Sequence, residues 1–262
     1  MEDVDFSLSS IDTLAKNSEI PVYFALIPSP AEIYSDLLPK GAPNASQKEL
    51  IDHAYSSVDA INVDMHSALA QHKDESIFYR TDHHWSTEGA YHAYRDLGTV
   101  MGFEPYGEDA FIKQTVSTSF LGTSDAAAGL PFIKPDHITL YRYAGDDAFA
   151  IKKDGKDAPF TGFYDTERLQ ARDQYAVFFG GNCGVLEIKS TEKRPSLLLI
   201  KDSFANALLP FLARHYNVTA IDPRYCTDPI AAYTSSADQI LILCNMQTIT
   251  ESAVFRTLTA NS

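Results

Sequence analysis

A chain of 262 residues with a formal net charge of -14 and a pI near 4.9 is a poor partner for nucleic acid or an anionic lipid surface, since both reward clustered Lys and Arg. Hydrophobic content of 45% and charged content of 21% are those of an ordinary globular protein with a sizeable core, either one large α/β domain or one domain with an insertion. Cys183, Cys226 and Cys244 show neither CxxC pairing nor metal-ligand spacing, their odd count leaves at least one thiol free and so argues against a disulfide scaffold, and Cys244 in its apolar run reads as a small buried hydrophobe.

Residues 6–18 carry apolar positions suited to a short amphipathic helix. Pro21-Val22-Tyr23-Phe24-Ala25-Leu26-Ile27 is a nearly continuous apolar run closed by Pro28-Ser29-Pro30, the pattern of a central strand buried on both faces. A helix over 46–58 with Ser46 as cap, a strand at Ala60–Asp64 and a helical turn or two over 65–73 follow. Ser86 caps a further helix whose Ala90, Tyr94, Leu97 and Met101 keep a three-to-four spacing and which Gly102 ends.

From about 104 to 194 the texture changes. Ile138-Thr139-Leu140-Tyr141-Arg142-Tyr143 alternates, and Asp146-Asp147, Lys153-Asp154-Gly155-Lys156 and Gly180-Gly181-Asn182 supply turns. This predicts a β-rich insertion within a single domain, serving as a lid or substrate platform. The α/β rhythm then returns: strands at Ser196–Ile200, Val218–Asp222 and Gln239–Cys244, helices over 204–215 and 247–258. Alternating strands and helices imply a parallel sheet covered on both faces.

Two local clusters carry chemistry. Asp82-His83-His84-Trp85 packs an acid, two imidazoles and the only tryptophan into a loop that leads straight into a helix. In an extended segment residues two apart project to one side, so Asp82 can set the tautomer of His84. Lys201-Asp202-Ser203-Phe204-Ala205-Asn206 follows a buried strand and opens a helix, a place where ligands of open α/β sheets bind. Read alone, Asp202 or Ser203 equally serves as a helix cap and His84 as a structural histidine; together they supply the three roles of a serine-hydrolase triad, although the GxSxG elbow is absent.

These two motifs resemble the DHHW (DHHYFP) family, which is similar to the SGNH-hydrolase-like domains of the alginate O-acetylation proteins. Phe178-Phe179-Gly180-Gly181-Asn182, Pro210-Phe211-Leu212 and Ile221-Asp222-Pro223-Arg224-Tyr225 extend the likeness over residues 20–245. The resemblance implies a flavodoxin-like α/β/α sandwich with Ser203 as nucleophile, His84 as base and Asp82 as orienter. It further implies an extracytoplasmic protein, its signal or anchor lying outside this sequence, that adds or removes acetyl groups on a cell-surface polysaccharide through an acetyl-serine. The acid and base precede the serine, as in a circularly permuted order, and Lys201 stands where typical SGNH enzymes have glycine.

Asn182 is the expected side-chain donor to the oxyanion, with a plain turn as the alternative. Lys201 is read as binding a substrate carboxylate or supporting the loop, Arg224 and Tyr225 as sugar contacts, and Arg80 as a brace for the Asp82 loop. Trp85 is expected to line the pocket or anchor the helix, and His83 has no assigned role. His53, His66, His72, His92, His137 and His215 are read as isolated surface or satisfied positions. The expected partners are an acetylated polysaccharide or acetyl donor and a membrane O-acyltransferase, with no cofactor and no metal. Two other classes compete: a catalytically silent polysaccharide-binding or assembly component, and a metal-dependent phosphoesterase. The latter needs paired aspartates that Asp52, Asp59 and Asp64 do not form.

Overall fold

The computed structural model describes residues 2–129, 131–251, Phe255 and Leu258. The first half of the chain runs α1 (Glu2–Asn17), β1 (Val22–Ile27), α2 (Pro30–Ile33), α3 (Gln47–Ser57), β2 (Ile61–Val63), α4 (Met65–Ala70), α5 (Thr87–Met101), β3 (Ile112–Phe120), α6 (Thr123–Ala128) and β4 (Asp136–Arg142). The second half adds β5 (Phe149–Lys153), β6 (Lys156–Asp157), β7 (Val185–Ser190), β8 (Ser196–Lys201), α7 (Ala205–Leu212), β9 (Asn217–Ile221), α8 (Ala231–Thr234), β10 (Gln239–Asn245) and α9 (Met246–Glu251).

The main sheet has the order β2-β1-β10-β8-β9-β7-β5-β6. Strands β2, β1, β10, β8 and β9 are mutually parallel, and β7, β5 and β6 continue the sheet antiparallel. The apolar runs explain the parallel half. Successive side chains of a strand point to opposite faces, so a strand covered on both faces must be apolar throughout. Tyr23, Ala25 and Ile27 of β1 enter one core with Met65, Leu69, Tyr94, Leu97 and Leu208, whereas Val22, Phe24 and Leu26 enter a second core with Leu8, Ile11, Ile51 and Ala54. Helices α4, α5 and α7 thus cover one face and α1 and α3 the other, giving the α/β/α sandwich that the sequence implies.

Local signals place the helix ends. Ser46 Oγ accepts the Glu49 N–H at the start of α3, Ser86 Oγ accepts the Gly89 N–H at the start of α5, and Gly102 closes α5 in the left-handed region at φ 81°. Helix α7 is shorter than the 204–215 expected. Pro210 within it lacks an N–H, and the chain passes into turns after Leu212. Of the helix expected over 247–258, α9 accounts for the first part; the remainder falls largely outside the described residues.

The stretch from 104 to 194 divides between two sheets. Strands β3 and β4 form a separate antiparallel hairpin, while β5, β6 and β7 lengthen the main sheet beyond β9.

Candidate active site

The Asp-His-His-Trp segment is a closed loop. An antiparallel bridge joins Phe78 to Trp85, the Tyr79 N–H donates to the His84 carbonyl at 3.3 Å, and the Ser86 N–H donates to the Ile77 carbonyl at 2.9 Å. Trp85 is fully buried, and its indole N–H donates to the Phe204 carbonyl at 2.8 Å. It therefore lines no pocket. It pins the loop to the junction that carries Ser203, and truncating so large a buried ring costs about 3–5 kcal/mol.

The β3–β4 hairpin holds the loop from its other side. Asp136 Oδ2 accepts both the Thr81 N–H and the Thr81 hydroxyl at 2.7 Å, and Arg80 Nε donates to Asp136 Oδ1 at 3.1 Å. Arg80 also donates to the carbonyls of Lys134 and Pro135. Its bonds run to the hairpin, so its exposed side chain ties the Asp82 loop to the start of β4.

Asp82 accepts the His84 backbone N–H at 3.0 Å and faces His84 Nδ1 at 2.6 Å through Oδ1, while Oδ2 accepts the Thr123 N–H at 2.8 Å and hydroxyl at 3.0 Å. Burial alone raises a carboxyl, but here the His84 ring and these N–H donors outweigh it and hold Asp82 well below the usual carboxylate range. Facing an ionised acid, Nδ1 carries the ring proton, which leaves Nε2 as an acceptor 2.8 Å from Ser203 Oγ. The Tyr175 ring stacks on His84 at 3.9 Å and 10°, and Gly122 packs so tightly that a Cβ there would lie 2.3 Å from the Asp82 side chain. His83 is half-exposed, bonds Thr123 Oγ1 at 2.6 Å, and lies pushed below the ordinary histidine value by burial and by the neighbouring His84.

Strand β8 delivers the serine. Asp202, not Ser203, stabilises the turn: its Oδ1 accepts the Phe204 N–H at 2.9 Å, and its Oδ2 accepts the Asn245 N–H at 2.7 Å and the Thr248 hydroxyl at 2.8 Å. Ser203 Oγ is left to His84, and the Ser203 N–H has no partner among the described residues.

Lys201 is buried beneath this turn, so the expectation that it meets a substrate carboxylate is corrected. Burial pushes its ammonium below the ordinary lysine value, against the pull of Asp222 at 3.9 Å. Its Nζ donates to Asn206 Oδ1 at 2.7 Å, and Asn206 Nδ2 donates to Asn182 Oδ1 at 3.0 Å. An ammonium only donates, so it orients both amides in series. Asn182 is exposed, and its NH2 group is thereby left without a partner among the described residues.

The turn bearing Asn182 is built by a second lysine. Lys153 Nζ donates to the carbonyls of Phe179, Gly180 and Gly181 at 2.8, 3.2 and 3.0 Å. Those residues sit at φ 56°, 69° and 84°, a region that glycine enters freely and phenylalanine does not. Nothing in the spacing around Lys153, Tyr175, Gly122 or Thr123 distinguishes them from ordinary loop residues, so they escape a reading of the sequence.

Arg224 does not stand free toward a sugar. It forms a two-pronged pair with the fully buried Asp222, at 2.8 and 2.7 Å, while Tyr225 is exposed beside it. A cleft of about 290 Å³ opens next to the triad, with His83, Phe204, Pro30, Leu50 and Met246 among its walls. A larger one, about 530 Å³, lies between the start of α5 and the β3–β4 hairpin, against Arg80, Glu88, Lys113 and Tyr141; Ser203 lines neither, and the smaller cleft reaches the triad's neighbours His83 and Phe204.

The family model described as DHHW protein matches residues 9–221. Among solved structures, a DHHW family protein from Eubacterium siraeum is similar with a TM-score of 0.86 at 24% identity, covering 99% of this chain and 89% of that one. Bacillus cereus PatB1 with a sulfonyl adduct gives a TM-score of 0.78 at 18% identity, over 98% of this chain and 92% of its own. The O-acetyltransferase domain of Pseudomonas putida AlgJ gives 0.55 at 14% identity, over 99% and 84%. No curated protein matches the sequence. At these identities the structural likenesses speak for the fold alone, the α/β/α sandwich with a mostly parallel sheet expected from the sequence. The match over residues 9–221 goes further: the chain belongs to the DHHW protein family.

Proposed function

We propose that the protein is a serine O-acetylesterase or O-acetyltransferase acting on a polysaccharide through an acetyl-serine intermediate. The observation that carries this reading is the relay Asp82–His84–Ser203, with separations of 2.6 and 2.8 Å, at the carboxyl end of a parallel strand. His84 Nε2 takes the Ser203 proton as Oγ attacks the acetyl carbonyl, and Asp82 stabilises the imidazolium that results. The Ser203 N–H and the Asn182 NH2, neither with a partner among the described residues, receive the oxyanion. Collapse expels the donor's alcohol, protonated by His84, and leaves acetyl on Ser203. Water or a sugar hydroxyl, deprotonated in turn by His84, then attacks the acetyl-serine and regenerates the free hydroxyl.

The likeness to a domain described as an O-acetyltransferase supports acetyl as the group moved. The substrate in this reading is a cell-surface polysaccharide outside the cytoplasm, with a membrane O-acyltransferase as the partner that supplies acetyl. No helix among the described residues is long and apolar enough to cross a membrane. The test is turnover of an activated acetyl ester, with and without an added glycan acceptor, by wild type and Ser203→Ala. Loss of turnover in the variant, with acetyl appearing on the glycan or in water, supports the reading; near wild-type turnover sinks it.

A further inference from the structure

Two of the histidines that look isolated in the sequence are brought together. His72, in the turn after α4, directs Nδ1 at Glu75 Oε1 at 2.7 Å, and His92, on α5, directs Nε2 at Glu75 Oε2 at 2.9 Å. The two rings stack at 3.5 Å and 15°, and the three donor atoms all lie within 4.8 Å of one another. One turn before His92, Glu88 brings Oε1 to 3.7 Å from the same Nε2, while its other oxygen is held by Tyr141 and Lys113. His92 is buried, whereas His72 and Glu75 open to solvent and offer a path for entry.

We propose that His72, Glu75 and His92, with Glu88 as fourth donor, form a structural site for a zinc-like divalent cation. Without the cation each imidazole must spend a proton on Glu75. A cation takes the lone pair of each facing nitrogen, each imidazole then carrying its proton on its other ring nitrogen and releasing any second proton to water, together with one oxygen from each carboxylate, and so satisfies all four groups at once. Two nitrogens with two oxygens suit Zn²⁺, whereas Ca²⁺ and Mg²⁺ prefer oxygen alone. The paired donors sit on separate elements, so a bound ion ties the turn after α4 to the helix that follows the Asp-His-His-Trp loop. Ser203, His84 and Asp82 are not among the ligands, and the inference stands or falls separately from the acetyl chemistry.

The experiment is calorimetric titration of tag-free, chelator-treated full-length protein with zinc sulfate alone, with the melting temperature followed in parallel. One zinc per chain and a raised melting temperature are expected. His72→Ala and Glu75→Gln should each weaken binding by more than the roughly 10–100-fold that changes around a metal's ligands cost, and abolish the thermal gain. His92→Ala should do the same; because His92 is buried, the accessible His72 variant decides if His92→Ala fails to fold. His84→Ala should bind zinc as wild type does. Absence of stoichiometric binding, binding that survives both His72→Ala and Glu75→Gln, or binding lost in His84→Ala would each overturn the proposal.

Discussion

Two clusters of imidazole and carboxylate flank the start of α5, and they are wired differently. In the first, one imidazole stands between an acid and a hydroxyl, so Asp82, His84 and Ser203 form a line along which a proton can move. In the second, one carboxylate stands between two imidazoles, and the described residues place no hydroxyl nucleophile on either ring. The first arrangement polarises a nucleophile; the second converges lone pairs. The same residue types, within twenty-odd positions of one another, thus serve different chemistry because of what sits at each ring's second nitrogen.

The sharpest way to break this comparison is to remove the nucleophile or its base. Ser203→Ala or His84→Ala should lower acetyl-ester turnover by as much as roughly 10⁶-fold with the fold intact by circular dichroism, while His72→Ala leaves turnover near wild type. Equal losses from the two clusters would mean one site, not two. Asp82→Asn keeps the shape but presents an amide to Nδ1 and permits the wrong tautomer, so kcat should fall by about 10⁴.

The amide series is next in size. Asn182→Ala should cost roughly 10²–10³ in kcat with little change in KM, the mark of an oxyanion donor. Lys201→Met should approach that loss by freeing Asn206 to flip, and Asn182→Ala should then add little on top of it. Full additivity of the two would disprove the series. Gly122→Ala places a Cβ 2.3 Å from Asp82 and should destabilise the fold by about 1–3 kcal/mol in chemical denaturation, with turnover falling because the acid is displaced.

The smallest effect concerns acid. Asp82 and Glu75 both sit below their ordinary values, Asp82 through His84 and Thr123 against the opposing effect of burial, Glu75 through His72 and His92. A depressed carboxylate contributes stability above its unfolded pKa, about 3.9 for Asp and 4.3 for Glu, and loses it as pH falls through the lower folded value. Asp82→Asn should therefore flatten the loss of melting temperature below about pH 4. Glu75→Gln should flatten it much less, because Glu75 is largely exposed and screened.

Much of the molecule was legible before any coordinates. Strands β1, β8 and β10 announced themselves as apolar runs, Ser86 and Gly102 marked both ends of α5, and the acid, base and serine each stood in a short motif. Trp85 and Lys201 each carry two readings in the sequence, because a sequence does not say whether a large ring or a charged stem faces a cleft or the protein beneath it; both side chains lie buried in the protein. The sequence also does not say what the 104–194 stretch packs against. Within it Asp136, Gly122 and Thr123 buttress the catalytic loop, through contacts that cross some 40 to 55 positions.

Local physics explains what the sequence decided by itself. Strand burial, helix caps, glycine turns and the Asp82-to-His84 spacing depend on neighbours within a few residues, so the chain states them directly. Tertiary structure alone decided the 2.8 Å contact between His84 and Ser203, the Lys201–Asn206–Asn182 series and the meeting of His72 with His92. Each needs side chains from separate elements to be held within a few ångströms, and only packing against a shared core sets such distances.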